Sequence, residues 1–249
     1  MDKVSVIMPA YNASKFIVRS IRSVLQQSYA KLELIVICDA PIDNTVELAK
    51  QFTDARIKII EQEENLGVAE ARNVGLRLAT GRYIAFCDAD DYWYQEKLSI
   101  QIELLKTSNS AVCHANCDLA KVAGKIIGSR SYPKVITYKM MRYRNYICNS
   151  SGLYDTEKIS VVYQKKIYHE DYLMWLEILS ESKISVGSKK PLLVYTINSN
   201  GLSSNKFKSF IGTLKIQRKH GVGWFEFNVN FLLNIASRLI ELLLPSSRR

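Results

Sequence analysis

The sequence predicts an α/β protein built on a Rossmann-like, mixed but mainly parallel sheet flanked by helices, with a helical appendage at the C-terminal end. Short apolar, β-branched runs alternate with amphipathic stretches through the first hundred residues, the pattern of strand–helix–strand crossovers. The most chemically distinctive polar residues stand immediately after those apolar runs, where an open parallel sheet binds its ligands. From about residue 206 the pattern reads as helical to the end.

Val4 to Met8, Leu32 to Cys38, Ile57 to Ile60 and Tyr83 to Cys87 read as strands, with helices over Ser14 to Gln27, Thr45 to Phe52 and Val68 to Ala79 between them. Asn44 with Glu47 has the form of a capping box, and Gly81 stands where a helix C-terminal glycine belongs. Beyond Trp93 come a helix (Glu96 to Lys106), a strand (Ala111 to Cys117) and a less regular region rich in Tyr, Lys and Arg up to Tyr146. A helix over Asp171 to Ser182, a strand over Leu192 to Ile197 and two C-terminal helices complete the series. With no repeat or linker, 1–205 reads as one continuous domain in two halves, 1–100 and 101–205, followed by the helical segment 206–249.

A chain of 249 residues with 47% hydrophobic content can fill a substantial core. No basic start followed by an apolar run and a small-residue cleavage site stands in the sequence, and the expectation is a cytoplasmic chain. Five cysteines, four of them in strand-like runs, read as buried thiols rather than disulfides. Cys113, His114 and Cys117 have the residue types of a zinc cluster but no second pair at ligand spacing. Residues 1–100 carry 12 Lys and Arg against 14 Asp and Glu, whereas 101–249 carry 22 against 10. A basic second half faces phosphates, nucleic acid or anionic lipid, and no recognised RNA or DNA motif accompanies it.

The strand ends hold the chemistry. The first ends in Pro9-Ala10-Tyr11-Asn12, the second in Asp39, the fourth in Asp88-Ala89-Asp90-Asp91. Clustered carboxylates at a buried strand end repel one another unless a cation neutralises them, and hard divalent ions such as Mg²⁺ or Mn²⁺ prefer oxygen ligands. The competing reading is a solvated turn in which Asp91 caps the next helix. Tyr11 can stack on a nucleobase, and Asp39 can accept from the imide N–H that uracil offers and cytosine lacks; alternatively they are a core aromatic and a turn residue. Asp43 suits a turn or cap. In Asn65 to Asn73, N-L-G-V-A-E-A-R-N, a glycine precedes a helix N-terminus and Arg72 follows within it, both suited to diphosphate oxygens. The chain has neither a Walker loop nor a Gly-x-Gly-x-x-Gly run after a strand.

The segments V-S-V-I-M-P-A-Y-N, N-L-G-V-A-E-A-R-N-V-G-L and A-T-G-R-Y-I-A-F-C-D-A-D-D resemble the inverting family-2 glycosyltransferases of GT-A fold, and most of all bacterial enzymes that build surface polysaccharides. The resemblance covers about residues 3 to 205. It implies a metal-dependent transfer from a UDP-sugar, with 1–100 as the nucleotide-sugar half and 101–205 as the acceptor half. Pro9, Ala10 and Tyr11 would line the uridine pocket, Asp39 would hold the uracil, and Arg72 would contact the nucleotide. Asp88, Ala89 and Asp90 would meet the donor, with Asp88 and Asp90 on the metal. His169-Glu170-Asp171 before Y-L-M-W-L-E-I-L resembles the family's Glu-Asp motif, which makes Asp171 the expected general base and brings His169, Glu170 and Trp175 to the acceptor. Asn149-Ser150-Ser151 matches a segment near the acceptor, so Ser150 and Ser151 join that set. On the residues alone, Glu170 or Asp171 would instead cap a helix with Leu173, Leu176 and Ile178 in the core.

Two departures stand out. Thr196 and Asn198 occupy positions where the family often has arginine and histidine, and the second strand ends Cys38-Asp39 where two acids are usual. The altered late loop keeps open a nucleotide-sugar-binding protein with little or no turnover. A sugar nucleotidyltransferase is the other rival, but it would need a glycine-rich, lysine-bearing loop after the first strand. Trp224 to Leu244, with Glu226, Asn230, Asn234, Ser237, Arg238 and Glu241 on one side, reads as an amphipathic helix. It would lie on the inner face of the plasma membrane with Arg248 and Arg249 against anionic lipid, or pack on the domain or a second subunit.

Overall fold

A computed structural model of the protein describes residues 2–197, 206–223 and 226. The first half follows the predicted alternation: β1 (Val4–Ala10), α1 (Ile17–Leu25), β2 (Leu32–Cys38), α2 (Thr45–Lys50), β3 (Ile57–Glu61), α3 (Val68–Leu78) and β4 (Tyr83–Phe86). After it come β5 (Tyr92–Trp93), α4 (Lys97–Ser108), β6 (Val112–Lys121), β7 (Ile126–Arg130), β8 (Val135–Thr137), α5 (Tyr138–Tyr143), β9 (Leu153–Asp155), α6 (Glu170–Ser182), β10 (Ile184–Ile197) and α7 (Lys206–Lys219). Among the described residues ten strands form one sheet in the order β3-β2-β1-β4-β9-β6-β10-β5, with β7 on β6 and β8 on β10. β9 runs antiparallel to β4 and β6, and β5 to β10, whereas β1 to β4 and the β6–β10 pair are parallel.

Every residue of β1 and β2 is buried, as expected of strands covered by helices on both faces. One core layer unites Ile17, Ile21 and Val24 of α1 with Val6, Met8, Leu34 and Val36. The other unites Ile7, Ile35 and Phe86 with Leu76 of α3 and Leu173, Met174 and Trp175 of α6. β1 pairs with β4 only from Val4 to Ile7 but with β2 as far as Ala10. The chain therefore parts on the β4 side at the point where strand order reverses, and parallel sheets bind ligands in that crevice.

Several local expectations change. Asn44 makes no side-chain cap; Asp43 does the work instead, accepting from Thr45 N at 3.0 Å and Ser14 N at 3.1 Å. Gly81 is not a helix terminus, since α3 ends at Leu78; a Cβ there would lie 2.7 Å from Lys3 O and Ser5 N, so glycine allows close passage over β1. The strand expected from Leu192 begins at Ile184, because register shifts between Ser188 and Leu193 break its alternation. The irregular region before Tyr146 holds β7, β8 and α5. Along β6 the side chains alternate, so Cys113 and Cys117 share one face and His114 the other. The His114 ring is held by Ser185 Oγ at 2.7 Å and Pro133 O at 2.9 Å, and among the described residues no set of three metal-ligating side chains gathers.

Candidate active site

Tyr11, at the mouth of the crevice, is 51% exposed, so it is an open ring rather than a core aromatic. Pro9 and Ala10 are buried as the strand end, so of the three residues expected at the uridine pocket only Tyr11 offers an exposed side chain. Ala89 is buried as well, its carbonyl accepting from Ser20 Oγ at 2.7 Å. Asp39 is 3% exposed and holds a neighbouring loop: Oδ1 accepts from Leu66 N at 2.8 Å and Oδ2 from Gly67 N at 2.9 Å. Gly67, at φ 88°, is the residue before α3, and only glycine takes that conformation without strain. Asp39 therefore fixes the N-L-G turn, and a base could reach only its remaining lone pairs.

The Asp88-Asp90-Asp91 turn is built rather than solvated. Asp88 accepts from Arg72 Nη2 at 2.7 Å, and its N–H donates to Ser150 Oγ at 3.0 Å. Asp91, 1% exposed, accepts from Thr196 N at 2.9 Å, while its Oδ2 is buried without a hydrogen-bond partner. It does not cap α4, whose N-cap is Glu96. Asp90 is half-buried, and its carbonyl accepts from Arg19 Nη2 at 3.1 Å and Thr196 Oγ1 at 2.5 Å. Burial, with Asp88 adding to it, pushes the Asp90 carboxyl up to about 6; burial and the charges of Asp90 and Asp88 raise Asp91 well above the ordinary range. These raised values and the unpartnered Asp91 oxygen leave the turn with negative charge that a divalent cation on Asp88 and Asp90 would relieve, although among the described residues the acids do not gather as a three-ligand set.

Arg72 joins the two halves. Its side chain is 5% exposed, and its guanidinium gives Nη2 to Asp88 and Nη1 to Glu170 Oε1 at 3.0 Å and Gln164 Oε1 at 3.1 Å. Burial opposes its charge, but Asp88, Glu170 and Asp171 more than compensate and raise its pKa. Arg72 is thus a brace between carboxylates of the two halves. The cost of a buried ion pair is offset only while both partners remain, so losing Arg72 would cost about 3–5 kcal/mol.

In the second half His169, at φ 63°, is the N-cap residue of α6, and its Nε2 lies 2.8 Å from Ser209 Oγ on α7. Glu170 and Asp171 stand in the first helical turn, where the helix dipole favours carboxylates. Asp171 is half-buried; burial and Glu170 push its carboxyl up to about 6 against the pull of Arg72. Ser150 and Ser151 are fully buried, as is Trp175, so they do not meet an acceptor directly. Ser150 O accepts from Trp93 Nε1 at 3.1 Å, Ser151 O from Gln101 Nε2 at 2.7 Å, and Trp175 donates to Asn149 Oδ1 at 3.2 Å. A Cβ on Gly152 would lie 2.2 Å from the Trp175 ring. These residues form the floor beneath Asp88.

With this geometry in view, residues 5–163 match the sequence model of glycosyl transferase family 2. The chain belongs to glycosyl transferase family 2. This glycosyltransferase is 37% identical over 206 residues, 82% of its length and 81% of the relative's, to the Escherichia coli UDP-Glc:alpha-D-GlcNAc-diphosphoundecaprenol beta-1,3-glucosyltransferase WfgD. It is 32% identical to the Bacillus subtilis putative teichuronic acid biosynthesis glycosyltransferase TuaG over 87% of each chain. Among solved structures, Staphylococcus aureus TarS 1-349 with UDP-GlcNAc superposes with TM-score 0.69 at 22% identity, over 82% of this chain and 61% of that one. A Pyrobaculum calidifontis mannosyltransferase with GDP-Man and Mn²⁺ gives 0.64 at 18%, over 86% and 63%. These likenesses show the GT-A fold.

Arg19 and Gln164 border the candidate site but stand outside the family motifs read above. Only Arg19 left a sequence signal: Lys15, Arg19 and Arg22 recur at helical spacing, and they line a groove of about 860 Å³ beside Tyr92 and Trp93. Thr196, one of the departures, fastens the Asp90-Asp91 turn. Asn198 and the Trp224 to Leu244 helix lie outside the described residues, Glu226 excepted. Among the described residues no helix is long and apolar enough to cross a membrane.

If Asp171 accepts the acceptor proton, only its ionised form works. Its raised value then makes kcat/KM fall about tenfold per pH unit below about pH 6 and level off above. A pH profile of wild-type transfer is expected to show this acid limb; a flat profile down to pH 4.5 would exclude Asp171 as the base.

Proposed function

We propose that this chain transfers a sugar from a UDP-sugar to a hydroxyl of a lipid-linked glycan during surface polysaccharide assembly, inverting the anomeric centre. The observation that carries the reading is the Arg72 brace, which ties the strand-end carboxylate Asp88 to Glu170, the neighbour of Asp171. Donor-side and acceptor-side carboxylates thereby share one site. The UDP-Glc and diphosphoundecaprenol in the WfgD name, and the UDP-GlcNAc bound to TarS, support the substrate classes.

Tyr11 stacks on the uracil, and Asp39, through its free lone pairs, accepts from the imide while holding the turn before α3. Asp88 and Asp90 would hold Mn²⁺ or Mg²⁺, which supplies positive charge to the departing diphosphate. Asp171 takes the proton from the acceptor hydroxyl as that oxygen attacks the anomeric carbon from the face opposite the leaving UDP. Arg72 holds Glu170 in an ion pair, and burial together with the neighbouring Glu170 charge keeps Asp171 basic. Thr196 and Arg19, through the Asp90 carbonyl, hold the carboxylate turn in place of the family's late-loop arginine and histidine.

Release of nucleoside diphosphate from UDP-glucose, UDP-GlcNAc, UDP-galactose and GDP-mannose, each with and without a GlcNAc-diphospholipid acceptor, tests the reading. Acceptor-stimulated release from a UDP-sugar is expected. Stimulation by GDP-mannose alone would overturn the donor assignment, and no stimulation with any donor would favour the binding-protein reading.

A further inference from the structure

We infer that the β6–β7 hairpin is a docking element for an anionic lipid bilayer. All five residues of β7, Ile126 to Arg130, are exposed, although β7 is paired along β6. Alternation would normally turn one face of such a strand inward. Here Ile126 is 49% and Ile127 42% exposed, and Val122 on the turn is 43% exposed. Among the described residues these neighbouring apolar side chains, on both faces of an edge hairpin, find no core.

Charge selects the occupant. Residues 119–135 carry Lys121, Lys125, Arg130 and Lys134 and no acid, and all four cations are exposed. Cations flanking exposed aliphatic side chains suit an anionic headgroup layer, where the aliphatic groups enter and the cations stay at the surface. Lys125 just before the edge strand and Arg130 at its end also discourage strand-to-strand pairing with a second copy.

Position gives the docking a purpose. Thr196 pairs with Ala120 and Ile197 with Lys121, so the hairpin rises from the sheet edge where Thr196 holds Asp90. A Cβ on Gly124, in the hairpin turn, would lie 3.8 Å from Arg19 Nη1, and Arg19 donates to the same Asp90 carbonyl. A bilayer held by the hairpin would border the carboxylate site, where a lipid-linked acceptor presents its sugar.

The test is co-sedimentation of the full chain with phosphatidylcholine vesicles, with and without phosphatidylglycerol, in the absence of donor and acceptor. It therefore reads the docking independently of the proposed reaction. The intact chain is expected to sediment with phosphatidylglycerol vesicles and to be released as salt shortens the screening length from about 10 Å at 0.1 M. The I126S/I127S variant is expected to lose at least ~10-fold in partitioning while keeping its circular dichroism and its UDP affinity. K121E/K125E should do the same, with the loss confined to anionic vesicles. Unchanged partitioning in both variants would overturn the proposal and assign lipid binding to residues 224–249. No binding by the intact chain would also overturn it, as would a change of I126S/I127S confined to oligomeric state, which would make the hairpin a contact between copies.

Discussion

Replacing Asp171 by asparagine is expected to lower kcat by about 10² to 10⁴-fold while UDP affinity and folding stay close to wild type. The geometry separates this effect from a structural one. His169, not Asp171, is the N-cap of α6, and Asp171 sits within the first turn. A purely structural Asp171 would contribute only its charge against the helix dipole, about 0.3–1 kcal/mol, and asparagine would keep its shape. The proposed donor pocket rests on Tyr11, Asp39 and the Asp88 turn, so donor binding is expected to stay. Single-turnover transfer alongside calorimetry with UDP separates the outcomes. Near-wild-type transfer in Asp171→Asn would shift the base to Glu170, which the Arg72 pairing disfavours.

Asp90→Asn is expected to act in opposite directions on binding and stability. With Mn²⁺ present, UDP affinity should fall by at least about tenfold, a conservative figure since outer-shell partners alone cost 10–100-fold, and chelator should then have no further effect. Without metal or nucleotide the variant should be more stable than wild type. The folded protein retains the Asp90 proton up to about pH 6, whereas the ordinary value is 3.8. Stability is therefore lost as pH rises through that window and stays lost at pH 7. Two pK units correspond to about 2.7 kcal/mol; partial exposure brings the expected gain nearer to ~1 kcal/mol, a few degrees in Tm. A variant with wild-type UDP affinity and lower Tm would remove Asp90 from the metal site.

The alternation of apolar runs made the first half legible, because buried parallel strands must be apolar on both faces and their ends must deliver the polar residues. Asp88 and Asp90 stand out because acids beside buried apolar runs need a reason to be there, whereas Asp171 is legible only through the family resemblance, since on the residues alone it reads as a helix cap. Arg72 was visible as a residue but not as a brace: its partners Gln164 and Glu170 lie 92 and 98 positions away, and no local pattern records such a pairing. Ser150, Ser151 and Trp175 were assigned to the acceptor by motif, yet the packing of Gly152 against Trp175 makes them floor. The bulge of β10 hides its alternation before Leu192, so only its last residues read as a strand. The hairpin of β6 and β7 was missed since Ile126-Ile127-Gly128 has neither strand nor helix periodicity.

In the proposed reaction Asp171 and the Asp88–Asp90 turn act on one sugar from opposite sides. The anomeric configuration of the product measures this most directly. Incubation of the full chain with a UDP-α-sugar and a GlcNAc-diphospholipid, followed by proton NMR of the purified product, is expected to show a β-linkage whose formation disappears in Asp171→Asn. An α-linked product, or a β-linked product formed equally well by Asp171→Asn, would contradict it.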